Sequence, residues 1–302
     1  MSPTIFYIPN NKHPAEANMT KRNLLLAEMI VNEGLGKVAA GRAASDEEVL
    51  LFHTPEYVEA VKTGYPDTLA SSGQHWYETI YDDMKNITGS MLDAIDEALM
   101  NMVSGSLAGG GHHATPDSGG ALSVLNHAAI GVMYAKRKVG RVFMLDLDLH
   151  FSNGTTIGLA DVQDVFLFDY HGQAYNFSRP NIPHLFRKLS GSPSGMFYLK
   201  MLKSELPRAI DQFQPDLCIY LSGMDVYKGS HNARLFLSEK DIESREEFVF
   251  NQFAERKIPV AYTHGGGYFS EETAARLYRH TAKAAANARI KGTLLRGAKG
   301  RC

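Results

Sequence analysis

The sequence predicts one α/β domain in which a mostly parallel β-sheet carries helices on both faces. Short apolar, β-branched or aromatic runs recur along the chain without polar alternation, as expected for strands covered on both faces. Segments with helical periodicity lie between these runs, and strands that alternate with helices are typical of a wound α/β sheet. No linker-like composition, internal repeat or low-complexity tract divides the 302 residues, so we expect a single domain.

Six apolar runs are predicted to be strands. They are TIFYI (4–8), VLLFH (49–53), RVFMLDL (141–147), DVFLFDY (164–170), DLCIYL (216–221) and IPVAYTH (258–264). Each is bounded by polar or turn-forming residues, and each has the length of a strand rather than of a helix. In open sheets of this kind, functional groups lie beyond the carboxyl ends of the strands.

Four helices are predicted from periodicity or from the residues that begin them. Over 84–102, apolar residues recur on one stripe with helical spacing. The other helix starts are indicated by Thr54 with Pro55, by the capping-box pattern Ser238-x-x-Asp241, and by Ser270 followed by two acidic residues. These segments alternate with the predicted strands, which supports the α/β fold class.

Composition and charge exclude several classes of protein. Lys and Arg number 31 against 33 Asp and Glu, mixed along the chain, which is unlike a nucleic-acid-binding protein. The two cysteines, Cys218 and Cys302, exclude a disulfide-stapled fold and a cysteine zinc site. The N-terminus lacks a signal-peptide pattern, and no apolar run reaches the ~20 residues of a membrane span. We expect a cytoplasmic protein without nucleic-acid or membrane partners, with its main domain over 1–290 and a basic tail over 291–302 that is typical of a frayed terminus.

Polar side chains follow four of the predicted strands at the point where each strand ends. The groups are Asp146, Asp148 and His150 at the end of strand 141–147, Asp169 and His171 at the end of 164–170, Asp225 after 216–221, and His264 and Tyr268 at the end of 258–264. Because the carboxyl ends of parallel strands meet at one edge of the sheet, we expect these side chains to converge there.

The pattern Asp146-x-Asp148-x-His150 is the strongest candidate for a metal site. Residues i and i+2 of an extended segment share a face, so the three side chains can point the same way. A catalytic zinc takes three protein ligands and keeps one position open, which Asp148, His150 and Asp225 would supply. The alternative is a hydrogen-bonded strand end without a metal.

Two further segments carry groups suited to acid–base chemistry. His112 and His113 lie in a glycine-rich loop, where adjacent imidazoles can act as an acid–base pair or form an ordinary surface pair. A catalytic histidine needs an acceptor on its second nitrogen, and Asp146 is available if Asp148 is the metal ligand. Tyr268 follows three glycines, where its phenol can donate to an oxyanion or merely cap the core.

These residues stand in four segments that together resemble the histone deacetylase family, with its acetylpolyamine and acetoin-utilisation relatives. The segments are GGGHHATPDSGGALSVLNHAAIGV, LDLDLHFSNGTT, LSGMDVYKGSHNARLFLSEKDI and GGGY. Their order and approximate spacing match, and the resemblance runs from about His13-Pro14 to the last helix. Within the family, the chain is most similar to the class IV branch and to bacterial deacetylase-like amidohydrolases. The resemblance implies the arginase/deacetylase fold.

The resemblance implies a role for each matching residue. The implied set is Asp148, His150 and Asp225 for zinc or ferrous iron, His113 as general base, His112 as its electrostatic or acid partner, Asp146 as the support of His112, and Tyr268 as donor to the acyl carbonyl. Asn153 would be the polar partner of His113. Asp169, with the backbone around Asp146, Asp148 and His150, would match a site for K⁺ or Na⁺.

The chain departs from the family pattern at several places. Phe151 and Ser152 replace a second histidine and a glycine after the ligand histidine, so the local wall should differ. Ala121 and Leu122 stand where an aromatic residue commonly lines the acyl tunnel, which suggests a different or longer acyl group. The candidate tunnel residues are Gly120, Leu122, Tyr175, Phe177 and Gly266.

The sequence therefore predicts a zinc-dependent amidohydrolase that removes an acyl group from an N-acyl lysine or a small amine. An acetylpolyamine-type small-molecule deacylase and a catalytically silent binding module with the same fold are the alternatives. A ureohydrolase with two manganese ions is disfavoured, because VYKGSHN after Asp225 offers no additional carboxylate. The expected partner is an acylated lysine peptide or an acylated small amine, and the oligomeric state is left open.

Overall fold

A computed structural model describes residues 3–11, 17–67, 72–173, 179–189, 194–230 and 235–297. The strands are β1 (Ile5–Ile8), β2 (Lys37–Ala40), β3 (Val103–Ser106), β4 (Val142–Asp146), β5 (Val165–His171), β6 (His184–Lys188), β7 (Leu217–Gly223) and β8 (Val260–Gly265). They form one sheet in the order β2-β1-β3-β8-β7-β4-β5-β6. Every pairing in this sheet is parallel, which confirms the α/β fold class and extends the prediction of a mostly parallel sheet.

Three strands were not predicted, because none of them is a buried apolar run. β2 and β3 are only four residues long and read KVAA and VSGS. In β3, a side chain at Gly105 would collide with the ring of Tyr262, so the strand needs a glycine at this contact. β6 is the last strand at one edge of the sheet, where HLFRK can place charged residues in solvent.

The predicted strand at 49–53 is wrong. Its first residue, Val49, ends a short helix that begins after Ser45, and turns follow. Ser45 and Glu48 form a reciprocal capping box, and three acidic residues in the first turn favour the helix start. The apolarity that suggested a strand has another cause, since Val49 and Phe52 are buried in the core below.

The helices are α1 (Ala17–Asn32), α2 (Asp46–Val49), α3 (Pro55–Thr63), α4 (Ile80–Asn101), α5 (His127–Ala135), α6 (Asn153–Gly158), α7 (Gly195–Phe213), α8 (Glu239–Glu255) and α9 (Glu271–Gly297). The predicted helix starts are confirmed. Thr54 caps α3 with Pro55 at its first position, and Ser238 caps α8 in a capping box. The hydroxyl of Ser270 accepts a hydrogen bond from the backbone N–H of Thr273 at the start of α9.

The sheet separates two apolar cores, because successive residues of a strand point to opposite faces. On β4, Phe143 and Leu145 pack under α1, α7, α8 and α9, whereas Val142 and Met144 pack under α2 to α5. Buried helices on both sides explain why the central strands are apolar throughout.

The last helix extends beyond the predicted domain boundary at residue 290. α9 continues to Gly297, so the first part of the basic segment 291–302 is helical. Residues 298–302 lie outside the described residues, and the division of the chain at 290 stays a prediction. Among the helices of the described ranges, none is both long enough and apolar enough to cross a membrane.

Candidate active site

The polar groups that follow the strands converge at one edge of the sheet, as predicted. β8, β7, β4 and β5 are neighbours, and their parallel register brings their carboxyl ends together. Asp146 of β4 is paired with Leu221 of β7 on one side and with Asp169 of β5 on the other. The segments that follow these strands therefore enclose one small, largely buried volume.

Asp148, His150 and Asp225 form a cluster in this volume that can offer three ligand atoms to one metal ion. One ligand atom from each residue lies within 4.8 Å of the others. His150 Nδ1 lies 3.2 Å from Asp148 Oδ1 and 3.0 Å from Asp225 Oδ2. Backbone N–H groups hold the carboxylates in place, since Leu149 donates to Asp225 Oδ1 and His150 donates to Asp148 Oδ1. Two carboxylates and one imidazole are a ligand set that zinc or ferrous iron accepts.

The charges of this cluster fit a bound cation. Asp225 is fully buried; its Oδ1 accepts the N–H of Leu149, and its Oδ2 faces His150 Nδ1. Burial and the negative charge of Asp225 raise the pKa of Asp148 to about 7. Burial alone would lower the pKa of His150, but its contacts with the two carboxylates raise it to about 10. A divalent cation would favour both ionised carboxylates and release the imidazole proton.

His112 and His113 lie beside the cluster and are held by different partners. His112 Nδ1 contacts Asp146 Oδ2 at 2.8 Å, and its Nε2 lies 3.1 Å from His113 Nε2. His113 Nδ1 contacts the amide oxygen of Asn153 at 2.6 Å. Asp146 also accepts the backbone N–H of Asp148, which links the histidine pair to the candidate metal strand.

These partners give the two histidines different charge states at neutral pH, one positive and one neutral. Burial opposes the protonated form of His112, but Asp146 and Asp148 outweigh it and raise its pKa to about 9. Burial and the positive charge of His112 lower the pKa of His113 to about 3. His112 is therefore the charged donor in the contact between the two Nε2 atoms. His113 is neutral, with its Nδ1–H directed at Asn153.

A pocket with an empty volume of about 620 Å³ opens onto these groups. Its lining includes His112, His113, Asp148, Leu122, Gly266 and Tyr268. Tyr268 is 47% exposed, and its ring centroid lies 6.4 Å from that of His150. The phenol thus lies between solvent and the ligand cluster, where it can meet a substrate that enters the pocket.

The other candidate tunnel residues have different positions. Gly120 is not in the lining; its N–H donates to Ser123, and an added side chain would approach the carbonyl oxygen of His113 to 3.0 Å. Tyr175 and Phe177 lie outside the described residues.

Asp169 lies on β5 beside Asp146 of β4 and contacts two side chains. Its Oδ2 accepts hydrogen bonds from the backbone N–H and the hydroxyl of Ser152, and its Oδ1 faces His171 Nδ1 at 2.7 Å. Phe151 packs edge-on against His171, so the departure at 151 and 152 builds an apolar wall and a support for Asp169. A K⁺ or Na⁺ site at Asp169 stays a prediction.

The sequence did not indicate the pocket residues Met19, Arg22 and Tyr278. They come from α1 and α9, where they resemble ordinary helix residues, and no local pattern marks them. Arg245 of α8 was missed for the same reason. It is fully buried and donates hydrogen bonds to the carbonyl oxygens of Leu147 and Gly223, next to the ligand residues.

Comparison with known proteins relates this site to a family. The family model of the histone deacetylase domain matches residues 13–284. An uncharacterized protein of Picosynechococcus is 28% identical over 241 residues, which are 76% of this chain and 78% of the relative. Histone deacetylase 2 of Arabidopsis thaliana is 28% identical over 245 residues, 74% of this chain and 62% of the relative. Polyamine deacetylase HDAC10 of Danio rerio is 27% identical over 184 residues, 56% of this chain and 27% of the relative.

The chain thus spans less than two thirds of the plant and fish relatives, but the family match covers most of its own length. The matched region includes β2 to β8 but not β1, which ends before residue 13, and it contains the ligand cluster, the histidine pair and Tyr268. With an all-parallel sheet of the arginase/deacetylase type around that site, the chain belongs to the histone deacetylase family.

Proposed function

We propose that this protein is a metal-dependent deacylase that hydrolyses the amide bond of an N-acyl lysine or an N-acyl small amine. The observation that carries the proposal is one pocket lined by Asp148 of the three-residue cluster, by a charged and a neutral histidine in contact, and by the phenol of Tyr268. These are the groups that amide hydrolysis by an activated water requires.

Asp148, His150 and Asp225 would hold the ion, for which we propose zinc, with ferrous iron as the alternative. When bound there, the ion would supply Lewis-acid activation of the acyl carbonyl and of the attacking water. Among the described residues, this is the only such cluster of three His, Cys or acidic side chains. That finding supports a one-ion deacylase over a ureohydrolase with two manganese ions.

The histidine pair divides the work of proton transfer and charge stabilisation. His113 is neutral, and its Nε2 would exchange its contact with His112 for the attacking water and take a proton from it as the hydroxide adds to the carbonyl carbon. His112, held in its charged form by Asp146, would stabilise the negative charge that develops. His113 then returns the proton to the amine nitrogen as the carbon–nitrogen bond breaks. The products are a free amine and a carboxylate.

Tyr268 would donate its phenolic O–H to the acyl oxygen as that oxygen becomes negative. Its position at the pocket mouth, across from His150, supports this role. Leu122 is 51% exposed and borders the same mouth, where an aliphatic wall suits an acyl or alkyl chain. The resemblance to the class IV branch stays a prediction.

Two relatives suggest the substrate classes to test. One is called a polyamine deacetylase and another a histone deacetylase, so we test a small amine as well as a peptide lysine. The test is a panel of acyl-lysine peptides of increasing acyl length together with acetylated polyamines. Each substrate is assayed with the zinc-loaded protein and again after treatment with a chelator.

We expect turnover on at least one member of the panel and its loss with the chelator. Hydrolysis of acyl-lysine peptides only, or of polyamines only, identifies the amine. A protein that binds one equivalent of zinc but hydrolyses no acyl amine contradicts the proposal and favours a silent binding module.

A further inference from the structure

Arg245 is a fully buried guanidinium directly behind the proposed metal site. It lies on α8, and its Nη1 donates a hydrogen bond to the carbonyl oxygen of Leu147 at 3.2 Å. Its Nη2 donates to the carbonyl oxygen of Gly223 at 2.8 Å. One planar group therefore joins the segments that follow β4 and β7.

The two carbonyl groups belong to the backbone that sets the proposed ligands. Leu147 directly precedes Asp148, and Gly223 stands two residues before Asp225. The two segments touch, since a side chain added at Gly223 would lie 2.4 Å from the Cα of Asp148. Any change in the spacing of these carbonyls would therefore move one ligand carboxylate relative to the other.

The charge of Arg245 is balanced on the side away from the pocket. Its Nε donates to Glu246 Oε1 at 2.7 Å, and Glu246 also accepts hydrogen bonds from Tyr220 and Ser222 of β7. A buried ion pair is weak evidence for a gain in stability, because removing two charges from water is costly. The arrangement is better suited to fixing geometry, since a guanidinium presents its donors in a rigid fork.

We propose that Arg245 is a positioning residue that sets the separation of Asp148 and Asp225 for the metal ion. The inference rests on the proposed function, in which these residues hold the ion. The two hydrogen bonds from Arg245 to the carbonyl oxygens of Leu147 and Gly223 set the separation of the carboxylates, in addition to the positive charge. Lysine keeps the charge but presents a single ammonium, which cannot reproduce the fork on both carbonyls.

The test compares the zinc affinity of the metal-free parent with that of Arg245→Lys, by competition with a chelating dye well below the unfolding temperature. We expect the affinity of the variant to fall by about 10- to 100-fold, the usual effect of losing a group that supports metal ligands. Arg256→Lys is the matched control, because Arg256 directly follows the same helix and pairs with the carboxylate of Asp211, away from the site. Its zinc affinity should equal that of the parent.

Glu246→Gln distinguishes the effect of the two carbonyl hydrogen bonds of Arg245 from the effect of its ion pair with Glu246. It removes the counter-charge and should lower the unfolding temperature, but Arg245 keeps both carbonyl contacts. Zinc affinity should therefore stay within about threefold of the parent's, well short of the ~10-fold loss expected for a lost supporting group. An equal loss of zinc affinity in Glu246→Gln and Arg245→Lys would overturn the proposal, because the ion pair as a whole would then be responsible.

Other outcomes of these titrations also test the positioning role of Arg245. Parent-like zinc affinity in Arg245→Lys, or a lysine variant that does not fold even with saturating zinc, assigns Arg245 to general stability and contradicts the positioning role. Failure of the parent protein to bind zinc or ferrous iron would instead contradict the proposed function itself. The two failures are therefore distinguishable in one set of titrations.

Discussion

At the scale of single residues, His112 and His113 differ in charge although they are adjacent in the chain. The difference comes from their partners, a carboxylate on His112 and a neutral amide on His113. Burial acts on both rings, but only His112 has a nearby negative charge strong enough to overcome it. A protein can thus place a charged group and a base side by side by choosing one partner for each.

His113→Ala should lower kcat by about 10²- to 10⁴-fold, the usual contribution of a general acid–base group. The measurement is steady-state hydrolysis of the best substrate from the panel. Zinc content is determined on the same samples and should match the parent, because His113 is not among the three proposed ligand residues. A variant with parent-like kcat would remove His113 from the mechanism.

The residues of the site were more predictable than their contacts. The spacing Asp146-x-Asp148-x-His150 indicated a shared face, and the structure brings Asp148, His150 and Asp225 together. Arg245 could not be predicted, because an Arg-Glu pair in a helix usually marks a solvent-exposed face. Its burial depends on where α8 packs against the sheet, which is tertiary information.

At the scale of elements, α8 shows how a local signal supports a distant site. Ser238 Oγ accepts the N–H of Asp241, and Asp241 Oδ2 accepts the N–H of Ser238. This capping box starts the helix. Two turns later, Arg245 donates a hydrogen bond to the carbonyl oxygen of Leu147, which precedes Asp148. The helix start was readable from the sequence, but the direction of its buried face was not.

Ser238→Ala should lower the free energy of unfolding by about 1 kcal/mol, because the N–H of Asp241 at the helix start loses its acceptor, Ser238 Oγ. The measurement is chemical denaturation followed by far-UV circular dichroism. Ser204→Ala, at an exposed position within α7, is the control and should change stability by less than about 0.5 kcal/mol. Equal effects of the two variants would show that the capping box does not stabilise α8.

The errors at this scale have a common physical cause. The run at 49–53 is apolar because it packs into the core from a turn, so burial alone did not identify a strand. β3 was missed because a neighbouring ring requires a glycine in it, and β6 because an edge strand tolerates charge. An apolar run indicates that a segment is buried. Only the spacing of its apolar residues distinguishes a helix from a strand.

At the scale of the whole molecule, the pairing of the central strands brings the residues of the candidate site together. The site draws on residues from His112 to Tyr268, which come together only when the central strands pair. The sequence predicted this convergence from the fold class, since parallel strands end at one edge. The strand order could not be predicted, because it depends on long-range pairings that leave no local pattern.

Buried histidines make the stability of the whole fold sensitive to acid. Burial lowers the pKa of His53 to about 4 and that of His127 to about 3, whereas an unfolded histidine titrates near 6.5. At these two positions, the unfolded chain therefore binds more protons than the folded one below pH 6.5. The stability from these neutral rings is present above pH 6.5 and is lost as the pH falls toward 4 and 3.

His127→Asn should reduce this loss of stability between pH 6.5 and pH 4, where each such histidine costs up to about 1.4 kcal/mol per pH unit. The asparagine amide can replace the ring nitrogen that contacts Thr88. The measurement is the denaturation midpoint at several pH values, with His75→Asn, at an exposed histidine, as the control. An unchanged pH slope in His127→Asn would contradict the prediction.

In the proposed mechanism, Asp148, His150 and Asp225 hold the single ion on which hydrolysis depends. The most direct measurement adds zinc stepwise to the metal-free protein and follows bound metal and substrate hydrolysis in the same samples. Both should rise together and level off at one equivalent, and Asp225→Asn should show neither. Full hydrolysis by the metal-free parent, or one equivalent of zinc with parent-like activity in Asp225→Asn, would contradict the account.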